Sequence, residues 1–200
     1  MNQGTPEWLA MRAGHCTASR FKDVLAKGKG ITRRNYLTQI VTERLTGLPC
    51  ESYRNAAMEW GIQQEPMARL SYEASRGVLV VETDFVTQDG IAWVGCSPDG
   101  LIGEDGGVEI KCPQQSAVHV ETLTSKMPTE HRAQIQGALW ITGRKWWDFI
   151  SYDPRMPENL QLYVERIERD EDYIKTLADE VAAFLSEVES IETQLRERAA

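Results

Sequence analysis

The sequence lacks the features that identify membrane, secreted and repeat proteins. None of its apolar runs approaches the roughly 18–20 residues that a bilayer-spanning helix needs. The first segment, MNQGTPEWLAMRAG, has neither the charged start nor the apolar core of a secretory signal. No internal repeat, low-complexity tract or Gly/Ser-rich linker interrupts the 200 residues. We therefore expect a cytoplasmic protein with no membrane partner, folded as a single domain over residues 1–200.

Cysteine is scarce, and its spacing does not suit a zinc or iron–sulfur site. Such sites usually bring at least two ligands close together in sequence, whereas this chain has no C-x-x-C pair. We expect four reduced and mostly buried thiols. They are Cys16, Cys50, Cys96 and Cys112.

Positive charge is also in short supply, and it is unevenly distributed. The formal net charge is −8, but residues 1–58 carry nine Lys and Arg against four Asp and Glu, while residues 157–200 carry five against twelve. A basic first part can bind a polyanion while an acidic end faces elsewhere. A solvated surface without a partner explains the same pattern equally well, so the charge pattern leaves both interpretations open.

The hydrophobic pattern predicts helices at both ends of the chain and strands in the middle. Helices are expected from residue 17 onwards and over 36–46, 56–74, 130–142 and 170–198. Four apolar residues define the helix at 56–74: Met58, Ile62, Met67 and Leu70. Strands are expected over 78–81, 91–95, 101–102, 108–111, 146–152 and 160–167, with a glycine-rich hairpin turn at 103–107. This order predicts an α/β or α+β fold in layers, ending in a long amphipathic helix.

One stretch in the middle of the chain suits metal-dependent hydrolysis. Asp99 lies in the segment S-P-D-G, and Glu109 and Lys111 follow ten and twelve residues later. Because side chains alternate along a strand, Glu109 and Lys111 share one face, while Val108 and Ile110 face the core. The hairpin can bring Asp99 beside Glu109, so that two carboxylates offer Mg²⁺ its preferred oxygen ligands. A nearby lysine can then activate the attacking water or stabilise charge on the phosphate.

The same residues also have an ordinary structural interpretation. Glu-x-Lys on a strand is commonly a solvated ion pair, and Pro-Asp-Gly is a frequent turn. The motif by itself therefore leaves a structural and a nuclease interpretation open.

Six segments distributed along the chain carry a longer pattern. They are W-L-A-M-R-A-G-x-x-T-A-S (8–19), E-W-G-x-Q-x-E-P-x-A-R (59–69), C-S-P-D-G-L (96–101), G-x-E-I-K-C-P (107–113), A-Q-I-Q-x-x-L-W-x-T (133–142) and Y-D-P-R-M (152–156). In this order and spacing they resemble the phage lambda exonuclease family, viral recombination nucleases of the PD-(D/E)xK superfamily. The resemblance implies a restriction-endonuclease-like core, in which helices flank a mixed central β-sheet.

The resemblance implies a role for each residue of the metal site. Asp99, Glu109 and the backbone carbonyl of Ile110 would bind the metal, and Lys111 would orient or activate the attacking water. The expected cofactor is Mg²⁺, with two ions in the site and Mn²⁺ as a substitute.

Two helical residues would complete this catalytic set. Glu65 matches an acidic residue of the family that helps to hold a second metal or its waters. Gln134 matches a glutamine that contacts the metal site or the terminal phosphate, and Gln136, half a turn away, is the weaker alternative.

A second group of residues matches the family's pocket for the 5′-phosphate of the digested strand. It consists of Arg12, Ser19 and Ser97. A guanidinium can bind a phosphate through two hydrogen bonds, hydroxyl groups add donors, and the first turn of a helix favours anions. Met58 matches an apolar wedge that separates the terminal base pair. Lys29 is a candidate contact to the DNA backbone, followed by Arg33 and Arg34.

The implied activity is that of an exonuclease acting in the 5′→3′ direction on linear duplex DNA. It would release 5′-mononucleotides from a 5′-phosphorylated end and leave a 3′ overhang for a phage-type single-strand annealing protein. The family forms homotrimeric rings around DNA, so a homotrimer, encoded by a phage or prophage in a bacterial host cell, is implied.

The match has departures as well. Segments 114–130 and 27–35 are shorter than in the lambda protein, and 114–130 contains one lysine where more basic residues are expected. The histidines match no catalytic position, and we expect surface or packing roles for them. They are His15, His119 and His131.

Two alternatives use the same residues differently. An endonuclease would keep the metal site, but a pocket for a 5′-phosphate disfavours it. A non-catalytic module that binds DNA ends would not need the complete set of carboxylates together with Lys111.

Overall fold

A computed structural model describes residues 5–26, 31–50 and 55–199. The candidate DNA contact Lys29 lies outside these ranges. The helices are α1 Pro6–Arg12, α2 Phe21–Val24, α3 Ile31–Thr46, α4 Ala56–Arg76, α5 Ser116–Ser125, α6 Arg132–Thr142 and α7 Glu171–Ala199. The strands are β1 Cys16–Thr17, β2 Val86–Thr87, β3 Val94–Cys96, β4 Gly100–Ile102, β5 Gly106–Lys111, β6 Trp146–Tyr152 and β7 Leu162–Glu168. None of the helices described here is long and apolar enough to cross a membrane.

The strands form two mixed sheets rather than a single one. In the larger sheet, with the order β4-β5-β6-β7, β5 runs antiparallel to β4 and parallel to β6, and β7 returns antiparallel to β6. In the smaller sheet β3 pairs with both β1, in parallel, and β2, antiparallel. The predicted α/β class with mixed pairing is confirmed.

The larger core surrounds α6, whose side chains are buried on nearly all sides. Helices α2, α3 and α7 and the inner strands supply its other members. On α7 the buried positions recur at helical spacing, as the sequence pattern predicts. They are Ile174, Leu177, Val181, Phe184, Leu185 and Val188.

A smaller core lies between α4 and the larger sheet. Ala68 and Tyr72 of α4 are completely buried there against Val108, Ile110 and Ile150. The four apolar residues that define this helix in the sequence are instead all exposed, from 47% to 59%. They are Met58, Ile62, Met67 and Leu70. The packed face of α4 is formed instead by a small alanine, which lets the helix approach the sheet, and by Tyr72, which fills the interface.

One local prediction differs from the structure, and two helices have no counterpart among the predicted elements. The segment 78–81 forms a single bridge between Val81 and Leu101 instead of a strand, and the N–H of Val80 donates to a side chain of α4, Glu73 Oε1, at 2.7 Å. Helix α1 was not predicted, although Thr5 caps it and proline occupies its first turn, both standard start signals. Helix α5 has no side-chain cap at its start, so its sequence carries a weak signal.

Asp148 joins α4, β6 and β7 and carries a prediction for stability. It is 1% exposed and accepts hydrogen bonds from the Tyr72 hydroxyl at 2.7 Å and from Arg166 at 2.8 and 3.0 Å. Asp148→Ala leaves these donors without their acceptor, so we expect the free energy of unfolding to fall by about 3 kcal/mol. The exposed pair of Asp105 with Lys145 provides the control, and Asp105→Ala should cost less than about 1 kcal/mol. If urea unfolding shows the same loss of unfolding free energy for Asp148→Ala and Asp105→Ala, the structural role assigned to Asp148 is contradicted.

Candidate active site

The β4–β5 hairpin brings the first two acidic residues of the motif together. Gly100 lies opposite Val108 in the ladder, so Asp99 lies opposite Glu109 just beyond its end. Asp99 Oδ2 accepts the backbone N–H of Ile110 at 2.7 Å, which holds its side chain over β5. Gly100 is required here, because a Cβ at this position would lie 2.1 Å from Cγ1 of Val80. The proximity expected from the sequence spacing is present.

Glu109 lies inside the protein, and two other members of the expected site contact it. Its residue exposure is 2%, whereas the Lys111 side chain is 35% exposed. Glu109 Oε1 forms an ion pair with Lys111 Nζ and accepts a hydrogen bond of 2.6 Å from Gln134 Nε2 on α6. Gln136 faces away, bonding the Glu168 carbonyl and the Asp170 N–H, so the preference for Gln134 agrees with the geometry.

The charges of this cluster are mutually dependent. Burial raises the pKa of Glu109, Lys111 lowers it, and the negative charges of Asp99 and Glu65 raise it further. Burial disfavours the charged form of Lys111, but Glu109 and Asp99 outweigh that effect and raise its pKa. The cluster therefore holds several carboxylates near one lysine, an arrangement that an additional cation stabilises.

Glu65 projects from α4 toward the same cluster. Its Oε1 accepts a hydrogen bond of 2.8 Å from Arg69 Nη2, and Arg69 also pairs with Glu82. Burial is the main cause that raises the pKa of Glu65, followed by the charge of Asp99, while Arg69 lowers it. The helix position expected for Glu65 thus places it within electrostatic reach of Asp99.

The donor set suits a hard, partly hydrated cation. Within the described residues, no three His, Cys, Asp or Glu side chains converge closely enough to hold a metal by themselves. Mg²⁺ needs only one or two carboxylates, since it keeps several waters, and the Asp99 and Glu109 carboxylates with the Ile110 carbonyl fit that demand. The neighbouring Cys112 is a poor ligand, because burial raises the pKa of its thiol to about 12. All four cysteines are free and three are buried, as expected.

A second cluster gathers the three residues expected to bind phosphate. Arg12 Nη1 donates to Ser97 Oγ at 2.8 Å, and Nη2 lies 3.4 Å from Ser19 Oγ. Two further residues take part that the sequence did not single out. Trp8 stacks on the Arg12 guanidinium at 4.1 Å and donates to Ser97, and Thr17 Oγ1 lies 3.5 Å from Arg12 Nη2. Both lie in the matched segment W-L-A-M-R-A-G-x-x-T-A-S, which could have identified them.

Arg12 is a cation whose side-chain hydrogen-bond partners are neutral. Its guanidinium bonds hydroxyl oxygens and contacts the Trp8 and Phe85 rings, while the carboxylate of Glu43 acts on it electrostatically. Burial lowers the pKa of its guanidinium, because the charged form loses part of its hydration. A buried charge is stable when an opposite charge pairs with it, and an anionic ligand can supply that charge.

Both clusters open into one cleft with a volume of about 1110 Å³. Its wall includes members of the metal cluster, of the Arg12 cluster and of α4, namely Asp99, Ile110, Lys111, Glu65, Arg12, Ser19 and Met58. Three further residues of the expected site lie next to this wall rather than in it: Ser97 contacts Arg12, Glu109 contacts Lys111, and Gln134 contacts Glu109. Met58 is 47% exposed on the cleft, a position that suits a contact to a ligand better than a core role.

The remaining candidates lie away from the cleft wall or have structural partners. Arg33 forms a two-bond pair with Glu187 on α7, and Arg34 is exposed on α3. Among the histidines, His119 is buried and bonds Ser151, while His131 stacks on Phe149. His15 lies between two aromatic rings. Packing roles for the histidines agree with the expectation.

Comparisons with known proteins point to nucleases. The YqaJ-like viral recombinase domain matches residues 7–145. The alkaline exonuclease LHK-Exo of Laribacter hongkongensis is 42% identical, with a TM-score of 0.91 over 98% of both chains. A phage-related exonuclease of Haemophilus somnus 129PT is 14% identical, with a TM-score of 0.70 over 93% of this chain and 96% of that chain, and shows the fold alone. The protein ExoD of Escherichia coli (strain K12) is 36% identical over 59 residues, 30% of this chain and 67% of that protein.

These matches confirm the resemblance to lambda exonuclease-like proteins and the expected fold class. They indicate a nuclease that acts on DNA as an exonuclease.

Proposed function

The chain belongs to the YqaJ-like viral recombinase domain family, and we propose that it is a Mg²⁺-dependent 5′→3′ exonuclease of duplex DNA. It digests one strand of linear duplex from a 5′-phosphorylated end and releases 5′-mononucleotides. The single observation that carries this proposal is the cleft that joins the carboxylate–lysine cluster to the Arg12 pocket. A crystal structure of the 42% identical LHK-Exo in complex with dAMP is consistent with a mononucleotide product.

The residues of the carboxylate cluster divide the chemical work. Asp99, Glu109 and the Ile110 carbonyl hold Mg²⁺, which when bound stabilises the charge that develops on the phosphate oxygens. Lys111 orients the attacking water and donates a hydrogen bond to a phosphate oxygen on which negative charge develops. Gln134 keeps the Glu109 carboxylate in one orientation through its 2.6 Å hydrogen bond. Glu65 binds waters at the α4 side of the cleft.

The Arg12 pocket determines which end is digested. A terminal 5′-phosphate is a dianion that can pair with the guanidinium of Arg12, and Ser19 and Ser97 hydroxyls can supply further donors. An internal phosphodiester carries one charge fewer and two ester oxygens, so it fits this pocket less well. Met58, exposed on the wall of the same cleft, separates the terminal base pair.

Arg12→Ala is expected to reduce the preference for phosphorylated ends. Losing charge-assisted hydrogen bonds to the terminal phosphate should lower the ratio of kcat/KM for 5′-phosphate over 5′-hydroxyl duplex by about tenfold to a hundredfold. Both substrates are end-labelled linear duplexes of one sequence. The control is Arg132→Ala, which removes an exposed arginine paired with Asp170 outside the cleft. An unchanged ratio in Arg12→Ala would rule out the phosphate pocket.

The same assay separates an exonuclease from an endonuclease with an identical core. Covalently closed circular duplex offers no 5′ end, so it should remain intact while linear duplex of the same sequence is degraded. Cutting of the closed circle would favour the endonuclease.

The family description as a viral recombinase supports a role of this activity in recombination. The 3′ overhang passes to a phage-type single-strand annealing protein, and three copies of the chain surround the DNA as a ring. Mn²⁺ replaces Mg²⁺, and Lys29 contacts the DNA backbone. Native mass measurement tests the trimer directly.

A further inference from the structure

The backbone between Arg12 and β1 forms a tight turn. The His15 N–H donates to the Arg12 carbonyl at 3.0 Å, and Ala13 has φ −55° and ψ 131°. Gly14 follows with φ +76°, so the four residues form a type II turn that requires glycine at its third position. The turn carries Arg12 on one side and leads to Thr17 and Ser19 on the other.

Two neighbouring side chains of α3 hold both polar groups of Gly14. Glu43 Oε2 accepts the Gly14 N–H at 2.8 Å, and Arg44 Nε donates to the Gly14 carbonyl at 3.0 Å. These contacts leave no room for a side chain at Gly14, since a Cβ there would lie 2.9 Å from Cγ of Arg44. Arg44 is itself held by the Trp93 ring at 4.5 Å and by Glu192 of α7 at 3.7 Å. The turn is thus fixed to the main helical core.

Glu43 is an unusual residue to find beside a pocket for an anion. It is 7% exposed and lines the same cleft as Arg12. A negative charge near the pocket weakens the binding of phosphate. Its presence is explained by its hydrogen bonds, because a carboxylate offers only acceptors. Besides Gly14, it accepts from Gln39 Nε2 at 2.9 Å and from the Cys50 N–H at 3.1 Å.

We propose that Glu43 and Arg44 are positioning residues that set the preference for 5′-phosphorylated ends. By fixing the Gly14 turn, they keep the Arg12 guanidinium at the distance from Ser19 at which both contact one phosphate. Neither residue touches the carboxylate–lysine cluster in the described hydrogen bonds and ion pairs, so their effect is on end selection. This inference rests on the proposed function.

The test compares end preference in two uncharged variants of Glu43, one that keeps an acceptor and one that keeps none. Removal of the charge by itself would favour phosphate binding, so a lower preference reports the loss of the acceptors. Glu43→Met keeps the length of the side chain and removes every acceptor, so the kcat/KM ratio for 5′-phosphate over 5′-hydroxyl duplex should fall about tenfold. The turnover number on hydroxyl-ended duplex should stay unchanged. Glu43→Gln retains one acceptor for the Gly14 N–H, so its ratio should lie between those of Glu43→Met and the unmodified protein. This variant also keeps the test decisive if Glu43→Met does not fold.

Two controls separate positioning from loss of stability. Tyr72→Phe removes a buried hydrogen bond in the smaller core, away from the pocket, and should leave the ratio unchanged. The double variant of Arg12→Ala with Glu43→Met should lose no more preference than Arg12→Ala alone, because both changes act through one guanidinium.

The outcomes are distinct for the inference and for the proposed function. If Arg12→Ala lowers the ratio but neither Glu43 variant does, the positioning role is overturned and the pocket stands. Additive losses in the double variant also overturn it. If Arg12→Ala leaves the ratio unchanged, the phosphate pocket fails and the inference fails with it.

Discussion

Lys111→Ala is expected to reduce the rate of DNA hydrolysis at saturating Mg²⁺ and DNA by about a thousandfold, the upper range for loss of one donor at a developing negative charge. Lys111 is the cation of the cluster, paired with Glu109 and close to Asp99 and Glu65. Binding of linear duplex, measured by fluorescence anisotropy in Ca²⁺, should change little, because the Arg12 pocket is intact. Single-turnover digestion of labelled duplex gives the rate.

The control for this experiment is Lys145→Ala. Lys145 is exposed, pairs with Asp105 and lies outside the cleft, so its removal should leave the rate within about twofold. A Lys111→Ala protein that digests DNA at the unmodified rate would remove Lys111 from the chemistry. Equal losses in both variants would point to a general effect of charge instead.

Asp99→Asn is expected to abolish stabilisation by Mg²⁺ together with activity. A cation that binds only the folded state adds about 2.7 kcal/mol at a hundredfold excess over its Kd, so Mg²⁺ should raise the Tm of the unmodified protein. Asparagine can still accept the Ile110 N–H, but it no longer offers the metal a charged ligand. Without Mg²⁺ the variant should be at least as stable as the unmodified protein, since one of several crowded negative charges is gone.

Asp105→Asn is the matched control for Asp99→Asn. This aspartate lies in the β4–β5 turn, half exposed and outside the cleft wall. Its variant should keep the Mg²⁺-dependent rise in Tm. If Asp99→Asn keeps that rise as well, Asp99 is not a metal ligand.

Sequence patterns predicted those elements that depend on local chemistry. The glycine-rich turn at 103–107 indicated the β4–β5 hairpin, and the spacing of apolar residues indicated α7, because each signal comes from neighbouring residues. The spacing of Asp99, Glu109 and Lys111 placed three site residues together for the same reason. The residues alone left a structural and a nuclease interpretation of these three open, and the family resemblance favoured the catalytic one. The catalytic roles, like that of the Arg12 pocket, remain predictions.

Features that depend on packing between distant segments could not be predicted in this way. The buried face of α4 is set by Ala68 and Tyr72 against the sheet, while its larger apolar residues are exposed. The periodicity of apolar residues alone does not reveal which face of this helix is buried. Glu43 likewise has the sequence appearance of a surface residue on an amphipathic helix, and its burial is explained by its contacts with Gly14, Gln39 and Cys50.

The most direct test of the proposed function follows both ends of one strand during digestion in Mg²⁺. A linear duplex carries one label at a 5′-phosphate and another at the 3′ end of the same strand. We expect the 5′ label to appear first, in a mononucleotide, while the 3′ label stays in a strand that shortens from its 5′ side, and we expect EDTA to stop both. Early release of the 3′ label, release of internal fragments, or digestion that continues in EDTA would contradict a Mg²⁺-dependent 5′→3′ exonuclease.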